Sequence, residues 1–536
     1  MNDKKSKKEQ KTSFCPVAGK CGGCQLQNMT YERQLGFKEA KVVKLLGKYC
    51  HVDNIIGMEH PFHYRNKVQA AFGSTRGGKI ISGVYQSKSH RIVCIDRCRI
   101  EDRKADEIIV TIRSMMPKYR MTAYNEDRGT GFLRHVLVKR GFKSGEIMVV
   151  LVTGTVVFPG KNAFIKELLE IHPEITTIVQ NINNSDTSMV LGETEKVLYG
   201  KGHINDSLCG CVFGISPKSF YQINPIQTEK LYNKAMEFAN LTGKETVIDA
   251  YCGIGTIGIV AAKEAKQVIG VELNRDAVHD AIANAKLNDT KNIRFYCADA
   301  GEFMVDMASN GEKADIVFMD PPRAGSDKAF LSSVVTLSPK KIVYISCNPE
   351  TQARDLSFLV RNGYKVRKIQ PVDMFPHTAH VECIALVPCG GTVFTFGMQY
   401  WNSPITKDEA RYSEAIFSFY KEIRKDGNVN EMILYFENHD ELTIDNTCCS
   451  QEVVDKIRSL KEGAIVKIYY HPNSNKIMEM TCNSNIILQF DDSASKLSRD
   501  RQGFTVLGIF MYFVTAYGVT MLIRERKHSS EKYHGG

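Results

Sequence analysis

Short apolar runs recur through the middle of the chain at helix-length intervals, over 246–250, 268–271, 293–297, 315–319 and 341–346. Strands covered on both faces of a parallel sheet read as continuous apolar runs rather than alternating ones. Their alternation with helical segments is the pattern of an α/β fold with a doubly wound parallel sheet. Two more runs, 365–372 and 381–387, complete that sheet. Upstream, over about 61–220, the rhythm is different. Runs such as 67–72, 80–85, 135–139 and 146–153 are separated by Gly, Asn and Ser turns and predict a strand-rich domain. A helix is predicted over 32–48, next to a cysteine cluster. Beyond Cys389-Gly390-Gly391 the pattern predicts a helix over 408–425, strands near 432–436 and 465–470, and a second helix near 453–460. That reads as a small α+β appendage. Residues 502–523 then run without one charge before Arg524-Glu525-Arg526-Lys527. Such a stretch matches the ~20 residues that cross a bilayer and predicts a membrane span.

Composition narrows the class. With 536 residues, 43% hydrophobic and 24% charged, the chain is neither a low-complexity polymer nor mainly disordered. A mean hydropathy of -0.24 excludes a polytopic membrane protein. No apolar leader precedes the opening Met-Asn-Asp-Lys-Lys, so the expected location is cytoplasmic, with 502–523 as the tether. The charge of +10 is unevenly spread. Residues 391–536 hold 17 Lys+Arg and 19 Asp+Glu, so the first 390 carry the whole positive excess. A polyanionic partner is expected to meet that part. The basic arm at 1–12 belongs to it, as a solvated tail or a contact with RNA.

Chemistry gathers where the parallel strands end. The first strand of the sheet flows into Tyr251-Cys252-Gly253-Ile254-Gly255, a turn that lets backbone close around a ligand. The second ends at Glu272, placed to accept both hydroxyls of a ribose. Asp299 follows the third strand and Asp320-Pro321-Pro322 the fourth. Ligands of such sheets bind outside the carboxyl ends of the strands. This set suits S-adenosylmethionine, with its adenosine at Glu272 and Asp299 and its methionine part near Gly253. The fifth strand ends at Ser346-Cys347-Asn348-Pro349, so Cys347 faces the same edge at the start of a helix, where a thiolate is favoured. Glu382 opens a later strand and is a candidate general base.

These motifs resemble the RNA uracil-5-methyltransferases. The resemblance is carried by Ser346-Cys347-Asn348-Pro349, Asp320-Pro321-Pro322-Arg323-Ala324-Gly325 and Asp373-Met374-Phe375-Pro376-His377-Thr378. Upstream it includes Tyr64-Arg65-Asn66-Lys67, Gln180-Asn181-Ile182-Asn183-Asn184 and Ser219-Phe220-Tyr221-Gln222-Ile223-Asn224, and it spans 14–388. It implies methyl transfer from S-adenosylmethionine to carbon 5 of a uridine, most readily in 23S ribosomal RNA. Cys347 would be the nucleophile at carbon 6 and Glu382 the base. Gln222, Tyr251, Glu272 and Asp320 would contact the cofactor, joined by Asp299 on its strand-end position. The organisation expected is an arm with a cysteine segment (1–60), a strand-rich RNA-binding domain (61–220), a Rossmann-like methyltransferase domain (221–390), the appendage (391–501) and the apolar segment with its basic tail (502–536). Alternatives are a transfer-RNA uridine-5-methyltransferase and a non-catalytic, membrane-tethered RNA-binding protein.

Cys15, Cys21 and Cys24 have the spacing C-x5-C-x2-C, followed by Cys94 and Cys98. Zinc held by four cysteines is the generic expectation from such pairs. The resemblance instead implies a [4Fe-4S] cluster with Cys98 as fourth ligand, Cys94 being the competing candidate within an apolar run. Candidates for RNA contact are Arg65, Lys67, Arg134 and His135, with Phe132 nearby, each of the charges being read equally as an ordinary surface charge. An N-terminal β-barrel RNA-binding module common in the family has no counterpart in the fourteen residues before Cys15.

Overall fold

The structure is a computed structural model that describes residues 15–86, 89–187, 189–390, 410–425, 428–437, 441–444, 448–470, 476–483 and 485–489. The chain divides near residue 390 into two compact units.

The first unit opens with a single helical turn, α1 (Ala18–Cys21), and then α2 (Tyr31–Leu46). Thr30 starts α2 by accepting the Arg33 N–H, and Gln34, Lys38, Val42 and Leu46 form its buried stripe at i, i+4 spacing. Among the described residues a seven-stranded sheet follows, made of β1 (Lys67–Ser74), β2 (Ile80–Tyr85), β3 (Ile92–Cys94), β4 (Leu133–Arg140), β5 (Ile147–Thr153), β6 (Ile175–Ile182) and β7 (Thr194–Tyr199), in the order 3-2-1-4-5-6-7. Two helices, α3 (Arg103–Met115) and α4 (Lys161–Ile171), cover one face through Ile108, Ile112, Phe164 and Leu168. A hairpin, β8 (Ile204–Leu208) and β9 (Cys211–Ile215), leads into α5 (Pro225–Ala239). Asn224 caps α5 and Pro225 occupies its first position, where a missing N–H costs nothing.

The second sheet carries the parallel strands: β10 (Thr246–Ala250), β11 (Gln267–Glu272), β12 (Ile293–Cys297), β13 (Ile316–Met319) and β14 (Lys341–Ser346). They are joined by α6 (Thr256–Ala261), α7 (Arg275–Leu287), α8 (Ala300–Ser309) and α9 (Lys328–Leu337). After α10 (Pro349–Arg361) come β15 (Lys368–Val372) and β16 (Glu382–Pro388), and the strand order is 12-11-10-13-14-16-15. The first five strands are parallel and β16 runs antiparallel beside β14. This is the doubly wound sheet the apolar runs predict.

Period-two alternation splits each strand between two cores. Val247, Phe318, Val343 and Ile345 face α5 and α6, while Ile248, Val317, Ile342 and Tyr344 face α8 and α9. Val42 and Leu46 of α2 belong to the second core, and residues 52 and 56 bridge in parallel to Ile369 and Val372 of β15. The segment after the cysteines is therefore built into this sheet. Val42 and Leu46 each contribute about 1.5–3 kcal/mol by leaving water.

In the second unit the expected helix at 408–425 is a strand, β17 (Arg411–Lys425). It pairs antiparallel with β18 (Asn428–Phe436) on one side and β20 (Ile465–Tyr470) on the other. Its aromatic and branched residues (Tyr412, Ile416, Phe417, Phe419, Tyr420, Ile423) suit a pleated surface, and these cross-strand partners override charge spacing that looks helical. With β19 (Leu442–Ile444), β21 (Ile477–Cys482) and β22 (Asn485–Leu488) the sheet order is 19-18-17-20-21-22. A helix, α11 (Gln451–Arg458), packs on it through Val454 and Ile457. The basic arm at 1–12 and the expected span at 502–523 lie outside the described residues. Among the described residues no helix is long and apolar enough to cross a membrane.

Candidate active site

Strands β10, β11, β13 and β14 deliver their last residues to one edge, which becomes the floor of the site. Directly after β10 the backbone turns through Tyr251, Gly253 and Gly255, at φ 64°, 53° and 82°. A Cβ added at Gly253 would meet nothing within 4 Å, whereas at Gly255 it would strike the Phe295 ring at 2.9 Å. Gly255 is thus needed for packing, and Gly253 borders open space that a ligand can enter. Asp249 Oδ2 accepts the Gly258 N–H at 2.7 Å, while its Oδ1 is buried with no partner. Burial pushes this carboxyl up to about 8; the Gly258 N–H opposes that, and Asp320 and Glu272 add to it.

Glu272 braces the turn across the strand gap. Its Oε2 accepts the Gly253 N–H at 3.1 Å and its Oε1 the Asn274 N–H at 2.9 Å. Each oxygen keeps a second lone pair, which is what a ribose diol needs. The Tyr251 ring lies against Phe330 at 4.9 Å between centroids, and burial raises its hydroxyl to about 12. Asp299 has a different occupation: its Oδ1 caps α8 by accepting the N–H groups of Gly301 and Glu302 at 2.8 and 3.0 Å. Gln222 sits in a strap tied to β1, with Asn66 Nδ2 donating to its carbonyl at 3.0 Å and the Asn66 N–H to that of Ile223.

Cys347 and Glu382 meet through strand register. Ser346 of β14 lies opposite Cys383 of β16, so the next residue on one strand faces the preceding one on the other. Glu382 is 3% exposed, and burial, then Asp320, holds its carboxyl well above the usual carboxylate range. Burial also lifts Asp320 to about 7. The Cys347 thiol is pushed up to about 11, by burial first and then by Glu382 and Asp320, with Arg323 pulling the other way. Burial and the two carboxyl groups thus oppose the thiolate that the start of α10 favours. Arg323 also donates to His380 Nδ1 at 3.2 Å.

The cysteine segment forms a second constellation. Cys24 feels Cys21 and Cys15 electrostatically, and burial together with those thiols raises it to about 11, against the opposing Arg65. Cys98 is raised to about 12 by burial and Glu101, and the N–H groups of Ile100 and Glu101 point at its sulfur. Cys24 and Cys98 pack against the same apolar cluster of Met58, Tyr64 and Ile100. Cys94 is exposed elsewhere, accepting from Arg113 Nη1 at 3.5 Å. Among the described residues no group of three or more His, Cys, Asp or Glu side chains is arranged to hold a metal ion. The donor set still suits a thiolate-bound metal in kind: N–H groups aimed at sulfur and a nearby guanidinium both favour charged thiolates.

Three of the expected RNA contacts are corrected. Arg134 is buried; it pairs with Glu126 at 2.7 Å, donates to the carbonyls of Asn183 and Ser185, and stacks on Tyr124. His135 is buried against Tyr85 and lowered to about 4 by desolvation, so it carries no charge at neutral pH. Phe132 is a core residue. Arg65 stands beside the cysteine constellation, and burial lowers Lys67. Sequence reasoning passes over Phe220, which is 64% exposed directly before buried Tyr221 and two residues before Gln222. An aromatic placed outward on a strap that ends in a helix cap is the available signal.

Known proteins resemble this chain over the residues that build the site. A family model described as tRNA (uracil-5-)-methyltransferase matches residues 30–388. An uncharacterized RNA methyltransferase of Oceanobacillus iheyensis is 46% identical over 371 residues, covering 68% of this chain and 81% of that protein. Another from Clostridium tetani is 44% identical over 377 residues, 70% of this chain and 82% of the relative. Among solved structures, the Pyrococcus abyssi tRNA (uracil-54, C5)-methyltransferase in complex with S-adenosyl-L-homocysteine is similar, with a TM-score of 0.58 and 31% identity. The match covers 68% of this chain and 85% of that one.

Proposed function

The chain belongs to the tRNA (uracil-5-)-methyltransferase family, and from that premise we propose that it methylates carbon 5 of a uridine in 23S ribosomal RNA through a covalent Cys347 adduct. It is an S-adenosylmethionine-dependent RNA methyltransferase. The observation that supports the covalent step is the β14–β16 register, which sets Cys347 beside Glu382 at the edge where Asp320 and Glu272 also end; the ribosomal target rests on the sequence resemblance alone.

Bound S-adenosylmethionine supplies an electrophilic methyl group. Glu272 would hold the ribose, Tyr251, Gln222 and Asp320 would contact the cofactor, and Asp299, the cap of α8, would lie on the adenosine side. Carbon 5 of uracil is a weak nucleophile. Cys347 gives up its proton to water, and the thiolate forms a bond to carbon 6 and pushes the electron pair of the 5,6 double bond onto carbon 5. Carbon 5 takes the methyl group and then carries both it and a hydrogen. Glu382 removes that proton, the double bond re-forms, and the Cys347–carbon 6 bond breaks to return the thiolate. Burial, with Asp320, raises the proton affinity of Glu382 above that of an exposed glutamate, which favours its taking the carbon-5 proton. Exposed Phe220 offers a face on which an unstacked uracil can rest.

Cys15, Cys21, Cys24 and Cys98 are assigned to a [4Fe-4S] cluster, with a role in folding because the methyl transfer consumes no electron. Iron and sulfide in equimolar amounts on anaerobically purified protein support this; zinc alone overturns it. The ribosomal target is tested by offering labelled donor with 23S ribosomal RNA and, separately, with transfer RNA. Labelled 5-methyluridine in the first alone is expected. Label in the transfer RNA alone would favour the second reading, for which the Pyrococcus abyssi neighbour speaks.

A further inference from the structure

Between β15 and β16 the chain makes a loop over 373–381, longer than an antiparallel pair requires, and most of it is tied to something upstream. Asp373 Oδ1 receives Lys38 Nζ at 2.5 Å and Oδ2 receives the Tyr31 hydroxyl at 2.8 Å. Lys38 Nζ also donates to the Phe375 carbonyl at 2.9 Å. The Met374 carbonyl accepts from Asn224 Nδ2 and that of Pro376 from the Tyr64 hydroxyl, both at 3.0 Å. His377 donates its backbone N–H to Gln34 Oε1 at 2.9 Å. Its Nδ1 accepts from Gln34 Nε2 at 3.1 Å, which leaves the proton on Nε2 to donate to the Pro61 carbonyl at 2.9 Å. The Leu26 N–H bonds to the His377 carbonyl and the Ala379 N–H to Gln25 Oε1, so the two residues after Cys24 grip the same loop.

Three of these anchors, Tyr31, Gln34 and Lys38, come from one face of α2. Gln34 and Lys38 share the buried stripe of Val42 and Leu46, yet the stripe turns from apolar to polar where it meets the loop. Lys38 and Asp373 are both wholly buried. A buried ion pair recovers little net stability over an apolar contact of the same volume, so its use here points to geometry. The loop is held in a demanding path, with His377 at φ 68°. Near its end, His380 lies two residues before Glu382 and meets Arg323.

We propose that α2 and the cysteine segment before it form a clasp that positions Glu382, with Lys38, Asp373 and Gln34 as positioning residues for the proton-removal step. The inference rests on the covalent mechanism proposed above. It gives the N-terminal segment a part in the mechanism, which is to hold the loop so that the base reaches carbon 5 after methylation. Adduct formation depends on Cys347 at the end of β14, to which Gln34, Lys38 and Asp373 make no bond, the partners given above lying in the loop and α2, so the two half-reactions should respond differently.

The test is a single-turnover experiment with labelled donor and substrate RNA, reading adduct formation and adduct release separately on a denaturing gel. Gln34→Ala, Lys38→Met and the double change Lys38→Met with Asp373→Asn are compared with the unaltered enzyme and with Glu382→Gln. The double change removes both buried charges together and Gln34→Ala removes none, and near-ultraviolet circular dichroism identifies the variants that keep their fold. Formation is expected to stay within about twofold while release slows about tenfold or more, so that adduct accumulates as it does for Glu382→Gln. Equal loss in both steps, or no change in a folded variant, overturns the clasp. If Glu382→Gln traps adduct and the clasp variants do not, the clasp alone falls. If no enzyme forms adduct while methylation proceeds, the covalent mechanism falls and the clasp with it.

Discussion

Cys347 should react as a thiol that ionises unusually late, and this can be measured without any RNA. Its proton is held by burial, Glu382 and Asp320, against Arg323, at about 11 rather than the ordinary 9.0. At pH 8 that difference leaves about a hundredfold less thiolate. The thiolate that does form is more nucleophilic, which returns about a factor of ten if reactivity follows basicity with a slope near 0.45. The net expectation is alkylation about tenfold slower than an ordinary thiol at pH 8. The clearer signature is the profile: the rate should climb about a decade per pH unit well past the point where an ordinary thiol levels off. Iodoacetamide labelling read at the Cys347 peptide by mass spectrometry, from pH 7 to 10, gives that profile. Arg323→Ala should move it to higher pH and Asp320→Asn to lower pH. A rate that levels off at or below about pH 9 would refute the reasoning. It would mean that the start of α10 dominates over burial and the two carboxyls.

Leu46→Ala should destabilise the first unit by about 2–5 kcal/mol in urea unfolding, because its side chain is wholly buried in the core shared with β13 and β14. Glu272→Ala should weaken S-adenosylmethionine binding about tenfold to a hundredfold by calorimetry while leaving RNA binding unchanged, since its oxygens brace Gly253 and face the cofactor edge. The Asp249 carboxyl, raised to about 8, keeps its proton in the fold at pH values where the unfolded chain has lost it. Its contribution to stability is therefore full below the ordinary carboxylate range and fades as pH rises through about 8. Asp249→Asn should flatten that decline in a series of thermal melts.

The parallel sheet and its working edge are legible in the sequence because the same physics writes both. Doubly covered strands become apolar runs, and the residue that ends each run is by construction at the ligand edge. Tyr251, Glu272, Asp320 and Cys347 all fall where that rule places them. Charges inside strands are less legible. Arg134 and His135 look like surface residues until Glu126, Asn183 and Tyr85 are seen around them. The strand at Arg411–Lys425 reads as a helix because its charges recur at helix-like intervals, and only its neighbours across the sheet decide otherwise. The contact between Lys38 and Asp373 joins residues 335 positions apart. No local pattern encodes such a pair, although a lysine on the apolar stripe of α2 is a sign that something charged awaits it.

The central claim is that methyl transfer passes through a bond between Cys347 and the RNA. Incubating the Glu382→Gln protein with S-adenosylmethionine and 23S ribosomal RNA, then mapping the crosslinked peptide by mass spectrometry, tests it most directly. A stable adduct on Cys347 carrying a methylated uridine is the expected result. Formation of 5-methyluridine by a Cys347→Ala protein, or an adduct on any other residue, would contradict it.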